Sequence, residues 1–213
     1  LIERAGLSIA KLVGSQFSKK DRILIITGRG NNGSDGMAAA INLIEAGYKV
    51  DLVRLFKDNT AVNQQWYERC VALKKPLAKI PSDLSKYQLI IDAIYGIGLT
   101  HELDVETAKI IQKINQQSSF VLSLDAPSGL NPFSGKVFGE AIHADCTLTF
   151  ISDKPGLHTG DGLDCSGEVQ VVELVDASEY KLPDALYPTS FNVLDDINYS
   201  PLLRMKFNTN KGS

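Results

Sequence analysis

The sequence predicts an α/β chain built on a parallel sheet covered on both faces, and three observations carry the expectation. Short aliphatic runs alternate with amphipathic stretches from residue 20 to residue 125. The runs are continuously apolar, as strands buried on both sides are, and do not alternate apolar with polar residues. Glycine-rich or acidic segments follow three of them directly, where open parallel sheets carry their ligand-binding loops.

The elements follow in order. Ile2, Ala5, Ile9, Leu12 and Val13 recur at helical spacing, which predicts an opening helix. Residues 22–27 (RILIIT) form a buried strand, followed by a glycine-rich turn and a helix over 37–46 that ends at Gly47. Residues 49–55 are the second strand, and 60–73 a helix stopped by Pro76. A third strand occupies 89–94, and a helix over 105–116 turns Ala108, Ile111 and Ile114 inward. The fourth strand is 120–124. Beyond it the helical period fades: 147–151 and 168–174 are strand-like and separated by a glycine-laden loop, so these two strands are expected to lack a covering helix between them. From Pro183 onward the chain is polar and irregular and reads as a linker.

Composition narrows the function. The 213 residues, 44% hydrophobic and 22% charged, are enough for a core that needs neither disulfide nor structural metal. A net charge of −3 argues against nucleic acid or anionic membrane as a general partner. Asp92 interrupts the longest apolar stretch, between residues 89 and 99, so no membrane span is expected. Cys70, Cys146 and Cys165 are odd in number and lack CxxC spacing; buried reduced thiols and a cytoplasmic location follow. The chain starts without Met inside a helix and is read as a piece of a longer one.

In an open α/β sheet, ligands bind beyond the carboxyl ends of the strands. The segments at those ends are 28–36 (GRGNNGSDG), 92–98 (DAIYGIG) and 125–129 (DAPSG). Gly28, Gly30 and Gly33 have GxGxxG spacing, which reads as a phosphate-binding turn. The second strand ends in Leu55, Phe56 and Lys57 without the acid that binds a ribose, and Asp51 lies at its wrong end, so an ordinary NAD dehydrogenase is disfavoured. Asn31, Asn32 and Asp35 are either ligand groups or helix caps. Asp92 and Asp125 each follow an aliphatic run, where a carboxylate needs a cation or hydrogen-bond donors. With Ser128 and an asparagine they make an oxygen-only set suited to a hard cation. His143 reads as structural and His158 as part of a solvated loop, while His101 follows the GIGLT loop closely enough to touch a phosphate.

Taken together, GRGNNGSDG, DAIYGIGL, LDAPSGLNPFSG, TLTFISDKPGLHTG and SGEVQVVEL, in that order, resemble the YjeF N-terminal domain family, the NAD(P)H-hydrate epimerases, from residue 1 to about 175. The resemblance implies a Rossmann-like three-layer α-β-α sandwich, epimerisation of the R and S forms of hydrated NADH and NADPH, and a potassium ion. It implies that the hydrated dinucleotide meets Asn31, Asn32, Gly33, Ser34 and Asp35, then Gly96, Ile97, Gly98, Leu99, Thr100, His101 and Glu102, with Asp125 beside it as the catalytic acid and base. Asn32, Asp92 and Ser128 are the matching potassium positions. Two departures stand out: Ser34 replaces a glycine, and Thr100, His101 and Glu102 occupy a loop that usually offers a basic residue. Residues 202–213 (LLRMKFNTNKGS) resemble the start of an ADP- or ATP-dependent NAD(P)H-hydrate dehydratase domain. The expected organisation is an epimerase domain over 1–182, then a linker and the first residues of that dehydratase domain over 183–213, with homo-oligomerisation open. The alternative reading is a non-catalytic, protein- or RNA-associated module on the same fold.

Overall fold

The computed structural model describes residues 1–74, 76–77 and 79–174. Its elements are α1 (Ile2–Gln16), β1 (Arg22–Thr27), α2 (Asn31–Glu45), β2 (Lys49–Arg54), α3 (Ala61–Leu73), β3 (Leu89–Ala93), α4 (Val105–Asn115), β4 (Phe120–Leu124), β5 (Cys146–Phe150), α5 (Gly162–Cys165) and β6 (Glu168–Val172). All six strands pair in parallel, in the order β2-β1-β3-β4-β5-β6. The expected parallel sheet is therefore present and carries no antiparallel member among the described residues. The expectations for 183–213 lie outside the described residues.

Continuous apolar runs let each strand bury both faces. Ile23 and Ile25 pack with Ala5, Ile9 and Val13 of α1, Met37 and Leu43 of α2 and Cys70 of α3. Leu24 and Ile26, pointing the other way, pack with Ile111 and Ile114 of α4 and with Leu84 and Tyr87. Each such side chain contributes roughly 1.5–3 kcal/mol by leaving water. Between β5 and β6 only a 3-10 turn (Pro155–Leu157) and the four-residue α5 intervene, as the loss of helical period predicts. All three cysteines are free and buried, and no described helix is long and apolar enough to cross a membrane.

One boundary differs from expectation in a way that matters. The helix expected at 37–46 begins six residues earlier, at Asn31, so the supposed glycine turn is largely its first turn and a half. Gly28, Gly33 and Gly36 serve close packing and not an unusual backbone, since none of them has positive φ. A Cβ on Gly33 would stand 2.2 Å from the Gly28 carbonyl oxygen, and one on Gly36 2.5 Å from the Ala93 Cβ. Gly28 itself would meet the Ile94 carbonyl oxygen at 1.8 Å. These contacts press α2 against the ends of β1 and β3, where the strand order reverses direction.

Candidate active site

The reversal opens a cleft of about 740 Å³ beyond the carboxyl ends of β1, β3 and β4, within the size range of small-molecule sites. Of the residues expected at a ligand site, Asn31, Asn32, Asp35, Gly96, Ile97, Gly98, Leu99, His101, Glu102 and Asp125 line it. Gly33, Ser34 and Thr100 do not. Gly33 and Ser34 are buried in the first turn of α2, where the Ser34 hydroxyl donates to the Gly30 carbonyl at 3.3 Å. Thr100 faces solvent.

Asp125 sits at the tip of β4 with φ of 66°, a left-handed conformation that a non-glycine residue keeps only where its surroundings enforce it. They do so through both carboxylate oxygens. Oδ2 accepts the Ile97 amide at 3.2 Å, and Oδ1 lies 2.9 Å from Lys154 Nζ. Lys154 follows β5, is almost wholly buried, and also donates to Thr149 Oγ1 and to the Phe150 and Ser152 carbonyls. A Cβ on Gly96 would come within 2.7 Å of Asp125 Oδ2 and 3.4 Å of Asn32 Cβ, so the glycine lets the loop after β3 approach both the end of β4 and the start of α2. Asp35, one helical turn along α2 from Asn32, has its carboxyl pushed up to about 7, first by burial and then by the negative charge of Asp125.

Asp92 and Ser128 are fully buried and do not line the cleft. The Asp92 carboxylate accepts Ser128 Oγ at 2.6 Å, the Ser128 amide at 2.8 Å, Ser123 Oγ at 2.9 Å and the Ile94 amide at 3.2 Å. Both readings of Asp92 meet here: it does receive turn amides, and burial raises its pKa while no described cation pairs with it. The Asn32 side chain is buried with neither Oδ1 nor Nδ2 hydrogen-bonded. Buried amides are normally satisfied, so an orphaned oxygen donor beside an acid-rich cleft fits a weakly charged cation.

Three groups escaped the sequence reading. Lys154 sat in a loop read as solvated, although its place after a central strand brings it to the same sheet edge as Asp125. Asn63 is buried and donates to the Gly28 and Gly30 carbonyls at 3.1 and 2.9 Å, tying α3 to the start of α2; only the Thr60 cap three residues before it hinted at an ordered turn. Arg29 lines the cleft with its guanidinium carbon 4.3 Å from the centre of the Phe56 ring. Of the histidines, His143 is exposed away from the cleft, His158 pairs with Asp153 at 2.8 Å, and His101 lines the cleft. Asp51 is held low on β2 by Lys74, Tyr87 and Arg22, a structural cluster.

Residues 1–156 match the family described as YjeF-related protein N-terminus. The chain is 34% identical over 176 residues to the NAD(P)H-hydrate epimerase of Weissella koreensis, covering 82% of this chain and 80% of that protein. It is 31% identical over 222 residues to the bifunctional NAD(P)H-hydrate repair enzyme Nnr of Thermofilum pendens, covering all of this chain and 41% of that protein. The crystal structure of yeast ynu0 superposes with a TM-score of 0.66 at 23% identity, over 81% of this chain and 77% of that one, which supports the Rossmann-like fold.

Proposed function

Because this chain belongs to the YjeF-related protein N-terminus family, we propose that it is an NAD(P)H-hydrate epimerase, interconverting the R and S forms of hydrated NADH and NADPH. The observation that carries this reading is the pair of carboxyl groups, Asp35 and Asp125, at one cleft and in different surroundings: one pushed up to about 7, the other ion-paired with Lys154. A carboxyl raised toward neutral pH beside an ion-paired carboxyl suits acid and base work.

The hydrate carries a hydroxyl on the ring carbon next to the ring nitrogen. Protonation of that hydroxyl lets the nitrogen lone pair expel water and leaves a planar cation. Water returning to the opposite face, and giving up a proton, completes the inversion with no net change of atoms. Asp125 is the acid and base expected from the sequence; Asp35 supplies the protonated partner near neutral pH, a role that the sequence reading did not give it. Asn32, Asp92 and Ser128 would hold a potassium ion, which supplies positive charge near the buried carboxylate. Nucleotide binding and a cytoplasmic location are consistent with this reading, and the bifunctional relatives support a dehydratase domain following residues 1–182 in the natural chain.

The test is direct. Hydrated NADPH enriched in one epimer is incubated with the protein and followed by chromatography. Wild type speeds the approach to the epimer mixture, and Asp125→Asn slows it by about 100-fold while remaining folded. A wild-type rate equal to the buffer rate overturns the assignment and favours a binding module.

A further inference from the structure

Four carboxylates line the cleft, Asp35, Glu102, Asp104 and Asp125, against a single lysine or arginine, Arg29. Asp125 already has Lys154 as its counter-ion and Asp35 is pushed up to about 7, but Glu102 and Asp104 have no cationic partner within 4.0 Å among the described residues, so the phosphates of a dinucleotide, with at least two negative charges, are repelled from that part of the wall. Arg29 occupies the other part of the wall. Its guanidinium lies on Phe56, whose ring is 5.9 Å from that of Tyr95, so a row of flat groups holds the cation at the cleft edge. Among the described residues no carboxylate pairs with it within 4.0 Å, so its donors are uncommitted to an acid. Next to it starts the fifteen-residue α2, whose N-cap Gly30 supplies no side-chain cap, leaving the first amides and the positive end of the helix dipole facing the same space.

We propose that Arg29 binds the phosphates of the substrate and so sets which way round the dinucleotide lies, with the nicotinamide end directed to Asp35 and Asp125. This rests on the epimerase reading. A planar guanidinium already seated over an aromatic ring gives paired hydrogen bonds to phosphate oxygens with less side-chain freedom left to lose. The bridging diphosphate and the ribose phosphate of NADPH share this chemistry, and comparing the two substrates separates them.

Arg29→Gln keeps the stem over Phe56 and removes the charge; Arg29→Lys keeps the charge and removes the fork. Epimerisation of hydrated NADH and hydrated NADPH is measured with each variant, and NADPH binding by calorimetry. The Gln variant is expected to raise KM about 10-fold or more with kcat changed far less, and the Lys variant to fall between. A rise for both substrates assigns Arg29 to the bridging diphosphate, and a rise for hydrated NADPH alone to the ribose phosphate. Unchanged KM and unchanged NADPH affinity in a folded Gln variant overturn the proposal. Wild type that binds NADPH through Arg29 but does not epimerise would sink the epimerase reading and leave the Arg29 assignment standing; wild type that binds no dinucleotide sinks both.

Discussion

Lys154 Nζ lies 2.9 Å from Asp125 Oδ1, although the two residues belong to separate loops after the adjacent strands β4 and β5. Both side chains are mostly out of water, so the pair is one unit: neither charge is well placed without the other.

Lys154→Met should therefore cost about 3 kcal/mol or more, because it strands the Asp125 carboxylate and leaves the Thr149, Phe150 and Ser152 oxygens without their donor. Adding Asp125→Asn should recover part of that loss, with a coupling of about 1 kcal/mol or more in a double-mutant cycle by urea unfolding. Strictly additive losses would mean that the two charges do not depend on each other.

Asp35 makes stability and activity depend on pH. Its carboxyl rises from 3.8 to about 7 on folding, so between those values the folded chain holds a proton that the unfolded chain releases. This contribution is fully present below about pH 4 and is lost as pH rises through 7. Asp35→Asn, always neutral, should be more stable than wild type at pH 8 by on the order of 1–3 kcal/mol, with the advantage fading at pH 4. In wild type, the epimerisation rate should fall as pH passes 7, and Asp35→Asn should lose that limb of the profile along with most of its rate. Thermal melts and rates across pH 4–9 check both.

The glycines of the first segment should differ sharply. A Cβ on Gly33 collides with the Gly28 carbonyl, whereas one on Gly30 meets nothing within 4 Å. Gly33→Ala should lose about 2 kcal/mol or more through overpacking, and Gly30→Ala should stay within roughly 0.5 kcal/mol of wild type. Gly33 is buried at the start of α2, so a bulky residue there disturbs the packing of the fold as well as any ligand in the cleft. Parallel denaturation curves decide.

Potassium should raise the melting temperature relative to an equal concentration of a bulky organic cation, by about 2 °C or more if binding contributes about 1 kcal/mol. Asn32→Ala should abolish the difference, since it deletes the orphaned amide. A shift that survives Asn32→Ala would place the ion elsewhere.

Much of this architecture is legible in the one-dimensional pattern. Continuous runs such as RILIIT demand burial on both faces, hence helices on both sides, and parallel pairing follows from the helices that separate them. The rule for ligand loops then turns strand ends into a site, which is why Asn32, Gly96 and Asp125 could be grouped although they are far apart in the chain. The start of α2 was less legible, because glycine and asparagine favour turns locally and only the press of α2 against Gly28 and Ala93 makes glycine a packing residue inside a helix.

By itself, the sequence determined the parallel sheet, the loops at its carboxyl edge and the residue types available there, because periodicity and chemical type are local properties. Only the tertiary structure decided which charges share a space. Strand order brought Lys154 onto Asp125, the loop after β2 set Phe56 beneath Arg29, and burial raised the Asp35 carboxyl. Ion pairing and desolvation depend on distance and on excluded water, and neither exists along an extended chain.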